Sequence, residues 1–179
     1  MHSEPLSFDP IAEARRQWAR RWTDEPARGM AAIAGLMRVQ QVMLARLNTA
    51  LRPLNLSFAR YEALMLLSFS GRGSMPLGKM GERLQVHRAS VTNIVDRLEQ
   101  AGYVARRTGG TDRRTTLAEI TSAGRAVAAE ATELLNPSGF DIPGLTVEEV
   151  ERLNELMMKV RREIGDFRLP EPSQRGTTR

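Results

Sequence analysis

Cysteine is absent from the 179 residues, and the two histidines, His2 and His87, lie far apart in the chain. The absence of cysteine excludes disulfide bonds, thiol-based redox sensing and zinc sites built on cysteine. Two distant histidines do not make a zinc site either, because such sites use three or four protein ligands. We therefore expect no bound metal.

Long apolar segments are also missing. No apolar run is longer than Ala63–Leu67, which is far shorter than the ~18 residues that a membrane-spanning helix needs. The first ten residues, MHSEPLSFDP, have neither the basic nor the apolar region of a secretion signal. We expect a cytoplasmic protein that does not enter a membrane.

Sequence motifs of catalysis are lacking too. There is no cysteine nucleophile, no phosphate-binding loop, no HExxH motif and no serine–histidine–aspartate arrangement. His87 stands alone in a predicted turn, where a helix cap or a phosphate contact is a more ordinary role than a catalytic base. We expect no enzymatic activity and no cofactor.

Positive charge is what the sequence has in excess. The net charge is +5, and every basic residue except Lys79 and Lys159 is an arginine. This balance suggests a polyanionic partner such as nucleic acid, although abundant arginine can also reflect a genome of high GC content. Net charge alone does not separate these two interpretations, so the placement of the arginines must decide.

Helical periodicity dominates the chain. Asp9-Pro10 is a typical helix start, and Thr146-Val-Glu-Glu149 has the form of a capping box. Thr23–Gly29 is interpreted as a break after a short first helix. Helices are predicted over about 11–22, 30–51, 57–70, 77–84, 88–101, 121–136 and 146–167.

Residues 76–102, PLGKMGERLQVHRASVTNIVDRLEQAG, have the pattern of a helix–turn–helix. The second helix carries an apolar stripe made of Val91, Ile94, Val95 and Leu98. Its opposite face is small and hydrogen-bonding near the N-terminus, as in helices that enter the DNA major groove. Asn93 can pair with adenine and Ala89 can contact a thymine methyl group, but ordinary caps and surface polar residues would look similar.

A basic hairpin is predicted directly after this unit. Two extended runs, 103–107 and 114–120, flank a turn in which Gly109-Gly110 supply the positive φ values that a hairpin tip needs. A helix–turn–helix followed by such a hairpin is a winged helix. The predicted fold is therefore mainly α with a small β-hairpin wing.

Residues 31–167 as a whole resemble the MarR family of bacterial transcription regulators. The resemblance rests on VHRASVTNIVDRLEQAGYVARR at 86–107, on Asp112-Arg113-Arg114, and on Ile120-Thr121-x-x-Gly124, where Ile120 replaces the usual leucine. It implies a winged helix–turn–helix flanked by N- and C-terminal helices that dimerise. The chain then divides into a Trp-bearing N-terminal extension (1–29), a dimerisation helix (30–56), a winged helix–turn–helix DNA-binding region (57–121), C-terminal dimerisation helices (122–167) and a disordered tail (168–179).

The resemblance also implies roles for residues of the wing. Family wing arginines enter the DNA minor groove, and Arg114, with Arg113 beside it, holds the matching position. Asp112 would orient Arg114 through a charge-assisted hydrogen bond. Asp96 is the family's second carboxylate and would tether the wing; alternatively it is a solvated partner of Arg97 or Gln100. The predicted DNA contacts are Arg88, Ala89, Ser90, Thr92, Asn93, Arg97, Arg106, Arg107, Arg113 and Arg114. Phosphate contacts are assigned to Arg88, Arg106 and Arg107, together with Arg83 and Lys79, with solvation alone as the alternative for several of these five.

Dimerisation is predicted from two apolar stripes outside the winged helix. One stripe comprises Ile33, Met37, Gln40, Leu44, Leu47 and Leu51, and the other comprises Val150, Leu153, Met157, Val160 and Ile164. A homodimer would place two recognition helices about one DNA turn (roughly 34 Å) apart on a palindromic double-stranded operator. The alternative is that both stripes pack within one chain.

The short N-terminal helix, FDPIAEARRQWARRW, precedes the usual start of the family. An added helix of this kind is similar to the subgroup that responds to urate and other small anions. Trp18 and Trp22 could stack on a planar effector, with Arg38 and Glu62 lining the same cleft, or the tryptophans could simply pack the helix in place.

Two functional hypotheses follow from the sequence. The first is a dimeric, sequence-specific repressor that a small molecule releases from DNA. The second is a winged-helix module that mediates protein contacts or coats DNA without sequence preference.

Overall fold

A computed structural model describes residues 6–109, 115–137 and 139–167. Within these ranges the chain forms seven α-helices, one turn of 3-10 helix at Arg52–Leu54 and three short strands. The helices are α1 (Pro10–Arg21), α2 (Asp24–Ala50), α3 (Phe58–Phe69), α4 (Leu77–Leu84), α5 (Arg88–Gln100), α6 (Ser122–Leu135) and α7 (Val147–Glu163). The strands are β1 (Ser74–Pro76), β2 (Val104–Thr108) and β3 (Thr116–Ile120). The predicted fold class is confirmed.

Side-chain caps fix most of the helix starts. The N-cap side chains that accept a backbone N–H include those of Asp9, Ser57, Thr121 and Thr146. At Thr146 the predicted capping box forms in full, because Glu149 also accepts from the Thr146 backbone N–H at 2.8 Å. These starts are encoded locally, since each cap satisfies N–H groups that the first helical turn leaves unpaired.

The predicted break at Thr23–Gly29 is wrong. Helix α2 begins at Asp24, so Trp22 and Thr23 alone separate it from α1. Pro26 lies in the first turn, where a backbone N–H is not required. The side chain of Ala27 is fully buried, and the packing of α1 against α2 outweighs the cost of about 1 kcal/mol for Gly29 inside a helix.

The core lies among α3, α5, α6 and the sheet. Its fully buried side chains include Leu64 and Leu67 of α3, Val91, Val95 and Leu98 of α5, and Leu135 of α6. Leu47 and Leu51, at the C-terminal end of the predicted α2 stripe, also belong to this core. The more N-terminal members Ile33, Met37 and Leu44 remain exposed. The α2 stripe is therefore divided between the chain's own core and its surface.

The sheet is antiparallel with the strand order β1-β3-β2. β2 and β3 form the hairpin, with Val104 opposite Ile120 and Thr108 opposite Thr116. The Gly109 N–H donates to the Thr115 carbonyl at 2.7 Å and continues the ladder toward the tip. The tip itself, including Gly110, lies outside the described residues.

The chain divides after Phe140 into two compact units, and α7 belongs to the second. The helix ends at Glu163, before the predicted end at Phe167, and Gly165 follows with a φ of +76°. Most of its apolar side chains are exposed, among them Leu156, Met157, Met158 and Val160. Apart from Val150 and Leu153, which are half-buried, the members of its predicted stripe are exposed.

Candidate nucleic-acid interface

Helix α5 buries one face and exposes the other. The His87 side chain caps it, because its Nδ1 accepts from the Ala89 N–H at 3.3 Å. Among the sequence-predicted DNA contacts, Arg88, Ala89, Ser90, Thr92, Asn93 and Arg97 are all exposed on this helix. The Thr92 hydroxyl donates to the Arg88 carbonyl at 3.2 Å, which leaves its oxygen lone pairs available as acceptors. The exposed face therefore combines small and hydrogen-bonding side chains.

Two clefts flank this face, one on each side of α5. The first, with a volume of about 570 Å³, lies between α5 and the start of α3. Its lining comprises Asn55, Ser57, Arg60, Asn93, Ile94, Arg97, Gln100, Ala101 and Tyr103. The second, of about 630 Å³, lies between α5, α4 and the hairpin. Its lining comprises Pro76, Leu77, Gly78, Lys79, Glu82, Arg88, Thr92, Arg106, Thr115 and Thr116.

Each cleft contains cations that no carboxylate of the described residues neutralises. In the first, Arg60 donates through Nε to the Ser57 hydroxyl at 3.2 Å, and Arg97 donates to the side-chain oxygen of Gln100 at 3.4 Å. Neither guanidinium, nor the side chains of Lys79 and Arg88 in the second cleft, has an ion-pair partner in the described part of the chain. Positive charge therefore lines both sides of the exposed α5 face.

The wing strand is different, because its arginines have carboxylate partners. Arg106 pairs with Asp96 and with Glu99 of α5. Arg107 pairs with Glu119 on the neighbouring strand β3. Asp96 thus contacts the wing strand through Arg106. The three wing residues Asp112, Arg113 and Arg114 lie outside the described residues.

The residues proposed for an effector site lie on three different helices. Trp18 and Trp22 contact each other at the C-terminal end of α1, with ring centroids 4.6 Å apart. Arg38 lies on α2 and Glu62 on α3, and neither side chain makes a hydrogen bond or an ion pair within the described ranges. Partial burial raises the pKa of the Glu62 carboxyl.

Sequence reasoning missed Arg60 and Glu99. Arg60 follows the N-cap Ser57 by three residues, and nothing local indicates that it would lie beside Arg97 of α5. Glu99 lies three residues after Asp96 on the same helix, a spacing that puts both carboxylates on one face. That spacing could have indicated a shared partner for the two carboxylates. The partner itself, Arg106 on β2, can be identified only from the folded structure.

Residues 6–109, 115–137 and 139–167 lack the features of a metal site and of a membrane-spanning helix. No cluster of three or more potential metal-binding side chains occurs in these ranges. No helix within them combines the length and the apolar character that a membrane crossing requires.

Comparison with known proteins points to one family. A profile of the MarR family matches residues 56–116. Sco5413, a MarR family transcriptional regulator from Streptomyces coelicolor, is 43% identical to the chain. The match covers 79% of this chain and 98% of Sco5413, with a TM-score of 0.73.

Two further relatives are more distant. The transcriptional regulator MhqR of Bacillus subtilis is 33% identical over 97 residues, which are 50% of this chain and 62% of MhqR, so the match spans less than two thirds of that relative. A mutant of MarR from Escherichia coli, solved with operator DNA, is 26% identical and has a TM-score of 0.66. That match covers 70% of this chain and 89% of the E. coli protein. The winged helix, its sheet order and these matches agree: the chain belongs to the MarR family of transcription regulators.

Proposed function

We propose that the protein is a dimeric regulator that binds double-stranded DNA at specific sequences and inserts α5 into the major groove. The observation that carries this proposal is the pair of cationic clefts on either side of α5. A helix lying in the major groove, which is about 12 Å wide, has a sugar–phosphate backbone on each side. Arg60 and Arg97 would meet one backbone, and Lys79 and Arg88 would meet the other.

Base recognition falls to the exposed side chains of α5 between the clefts. Asn93 can form two hydrogen bonds with adenine, and Ala89 can contact a thymine methyl group. Ser90 and Thr92 can bond to bases or phosphates. The wing residues Arg113 and Arg114, oriented by Asp112, would read the width of the adjacent minor groove. The E. coli relative solved with operator DNA supports the binding of DNA by this chain.

Dimerisation would cover the exposed apolar side chains of α2 and α7. Met37 of α2 is 61% exposed and Val160 of α7 is 55% exposed in a single chain. The charge on α7 is also divided between its halves. Residues 147–155 carry four glutamates and one arginine, a net charge of −3, and residues 156–163 carry three basic residues and one glutamate, a net charge of +2. An antiparallel, two-fold pairing of α7 with its copy would set each acidic half against a basic half.

The protein would act as a repressor that a planar anion releases from DNA. Trp18 and Trp22 form an aromatic surface that is partly open to solvent, and the Arg21 guanidinium lies 5.7 Å from the centroid of the Trp22 ring. Arg38 and Glu62 would complete the effector site. By linkage, an effector that binds better to a DNA-free arrangement of the dimer lowers its DNA affinity by the same factor.

A competition experiment tests the proposal. The protein is titrated at about 150 mM salt with a palindromic duplex selected from the DNA upstream of its own gene, against a random duplex of equal length. A specific regulator should prefer the palindrome by about a thousandfold or more. Equal affinity for both duplexes would reject this proposal and favour a module that coats DNA or contacts proteins.

A further inference from the structure

Arg106 on β2 joins the wing to the recognition helix. Its Nη2 pairs with Asp96, and its Nη1 donates to Glu99 at 3.2 Å. Its backbone N–H also donates to the other Glu99 carboxylate oxygen at 3.3 Å. Because both carboxylates lie one turn apart on α5, a single residue of the wing strand is held by two points of that helix.

Arg106 is more buried than Arg107, its neighbour in the sequence. The Arg106 side chain is 30% exposed, whereas that of Arg107 is 66% exposed. A guanidinium has a rigid fork of donors that suits binding by two carboxylates at once, which a lysine ammonium does not match. With its donors directed at Asp96 and Glu99, the Arg106 guanidinium points to α5 and not outward to a phosphate.

The two acidic side chains have an electrostatic cost at a DNA-binding surface. Carboxylates close to a phosphate backbone repel it, and the repulsion lowers affinity for any sequence. Glu99 and Asp96 would therefore weaken binding unless they serve the geometry of the interface. Their joint contact with Arg106, on one strand of the wing, would serve that geometry.

We propose that Glu99, Asp96 and Arg106 form a strut that fixes the angle between the wing and the recognition helix. Arg106 is then a positioning residue and Glu99 a determinant of sequence preference, and neither binds DNA directly. This inference rests on the proposed function. Holding the wing in one orientation lets α5 and the hairpin engage adjacent grooves without first ordering the hairpin.

The rival role for Arg106 is a phosphate contact that Glu99 holds back in the free protein. The two roles predict opposite results for Glu99→Ala. If Arg106 contacts phosphate, removing Glu99 frees a cation and tightens binding to every duplex. If the strut exists, removing Glu99 lets the wing move and weakens binding to the operator, while binding to random DNA does not fall.

The first experiment measures the affinity of Glu99→Ala for operator and random duplexes. We expect the operator Kd to rise about tenfold and the random-duplex Kd to change less than about twofold, the scale of a contact of this kind. Glu130→Ala is the matched control, because Glu130 is an exposed carboxylate on α6, away from both clefts, without an ion pair in the described ranges. It should leave the operator preference unchanged. A Glu99→Ala variant with unchanged or tighter operator binding overturns the strut.

A double-mutant cycle adds a second measurement. The losses of operator affinity caused by Arg106→Ala and by Glu99→Ala should not add in the double variant, because either change alone opens the strut. A phosphate contact would instead lower the salt dependence of log Kd by about 0.9 in Arg106→Ala, on operator and random DNA alike. A decrease of that size in the salt dependence on both duplexes would overturn the positioning role of Arg106.

A DNA-free measurement separates this inference from the proposed function. The Arg106 amide donates to Glu99, so its hydrogen exchange in the free protein should be at least about tenfold faster in Glu99→Ala than in Glu130→Ala. The Leu98 and Val104 amides should keep their protection if the fold is intact. Unchanged exchange at Arg106 would refute the strut whether or not the protein prefers an operator.

Discussion

Gly124, in the first turn of α6, lies directly against the backbone of Tyr103 at the base of the wing. A Cβ at this position would overlap the Tyr103 carbonyl oxygen and would stand 3.0 Å from its carbon and 2.9 Å from a side-chain carbon of Ile120. The same Tyr103 carbonyl accepts from the Thr121 N–H at 3.0 Å. Gly124→Ala must therefore push α6 away from this carbonyl and stretch that hydrogen bond.

The expected cost follows from two opposing terms. Forcing an extra carbon into a packed site costs about 1–3 kcal/mol, and the upper end applies because the obstacle is backbone. Alanine in a helix gains about 1 kcal/mol over glycine. The net destabilisation is about 2 kcal/mol, opposite in sign to the helix preference. With a urea m value of about 2 kcal/mol per molar, the unfolding midpoint should fall by about 1 M.

Urea unfolding followed by circular dichroism measures this change, with all proteins at one concentration because the stability of the proposed dimer would depend on it. Gly29→Ala in α2 is the matched control, because a Cβ there meets no atom within 4 Å. It should raise the midpoint slightly, as helix preference alone predicts. A Gly124→Ala variant as stable as the wild type would refute the close approach of α6 to Tyr103.

Four further predictions concern the dimer, the DNA contacts and the pH response. Met37→Glu should give a folded monomer by sedimentation at micromolar concentration; a persistent dimer would contradict the assignment of α2 to the interface. Asn93→Ala should reduce the preference for operator over random DNA more than total affinity, and a uniform loss would mark Asn93 as a phosphate contact. Arg114→Ala should weaken operator binding with the dimer intact, so an unchanged titration counts against the wing contact. Because burial raises the pKa of Glu62, its stability contribution is full below the ordinary pKa of about 4.3 and is lost as pH rises through the raised pKa. Glu62→Gln should therefore unfold at a higher urea concentration than the wild type at pH 7, and at the same urea concentration as the wild type near pH 3.5. An equal difference between the two unfolding midpoints at both pH values would refute the direction of the pKa shift.

Local features of the structure were predictable from the sequence. The N-caps Asp9, Ser57 and Thr121 act within three residues, so their residue types are enough to place the starts of α1, α3 and α6. The apolar stripe of α5 was equally readable, since Val91 and Val95 must share a face in any helix. Both are fully buried.

Features that depend on distant segments were not predictable. The start of α2 depends on packing against α1, which allows Pro26 and Gly29 where the sequence indicates a break. Arg60 acquires its place in the first cleft because α3 begins beside α5. The carboxylate partners of Arg106 depend on how β2 packs along α5, and no sequence pattern within either element specifies that packing.

The placement of the tryptophans gives the protein a built-in optical probe. The chain has two of them, Trp18 and Trp22, and both belong to the α1 end of the molecule, in contact with each other and partly open to water. Tryptophan emission therefore reports the surroundings of α1 and nothing else. A shift in emission on dilution or on adding a small molecule would locate the event at this helix without a label. Operator DNA, which the proposed function places at α5, would change the emission only if its binding moved or covered α1.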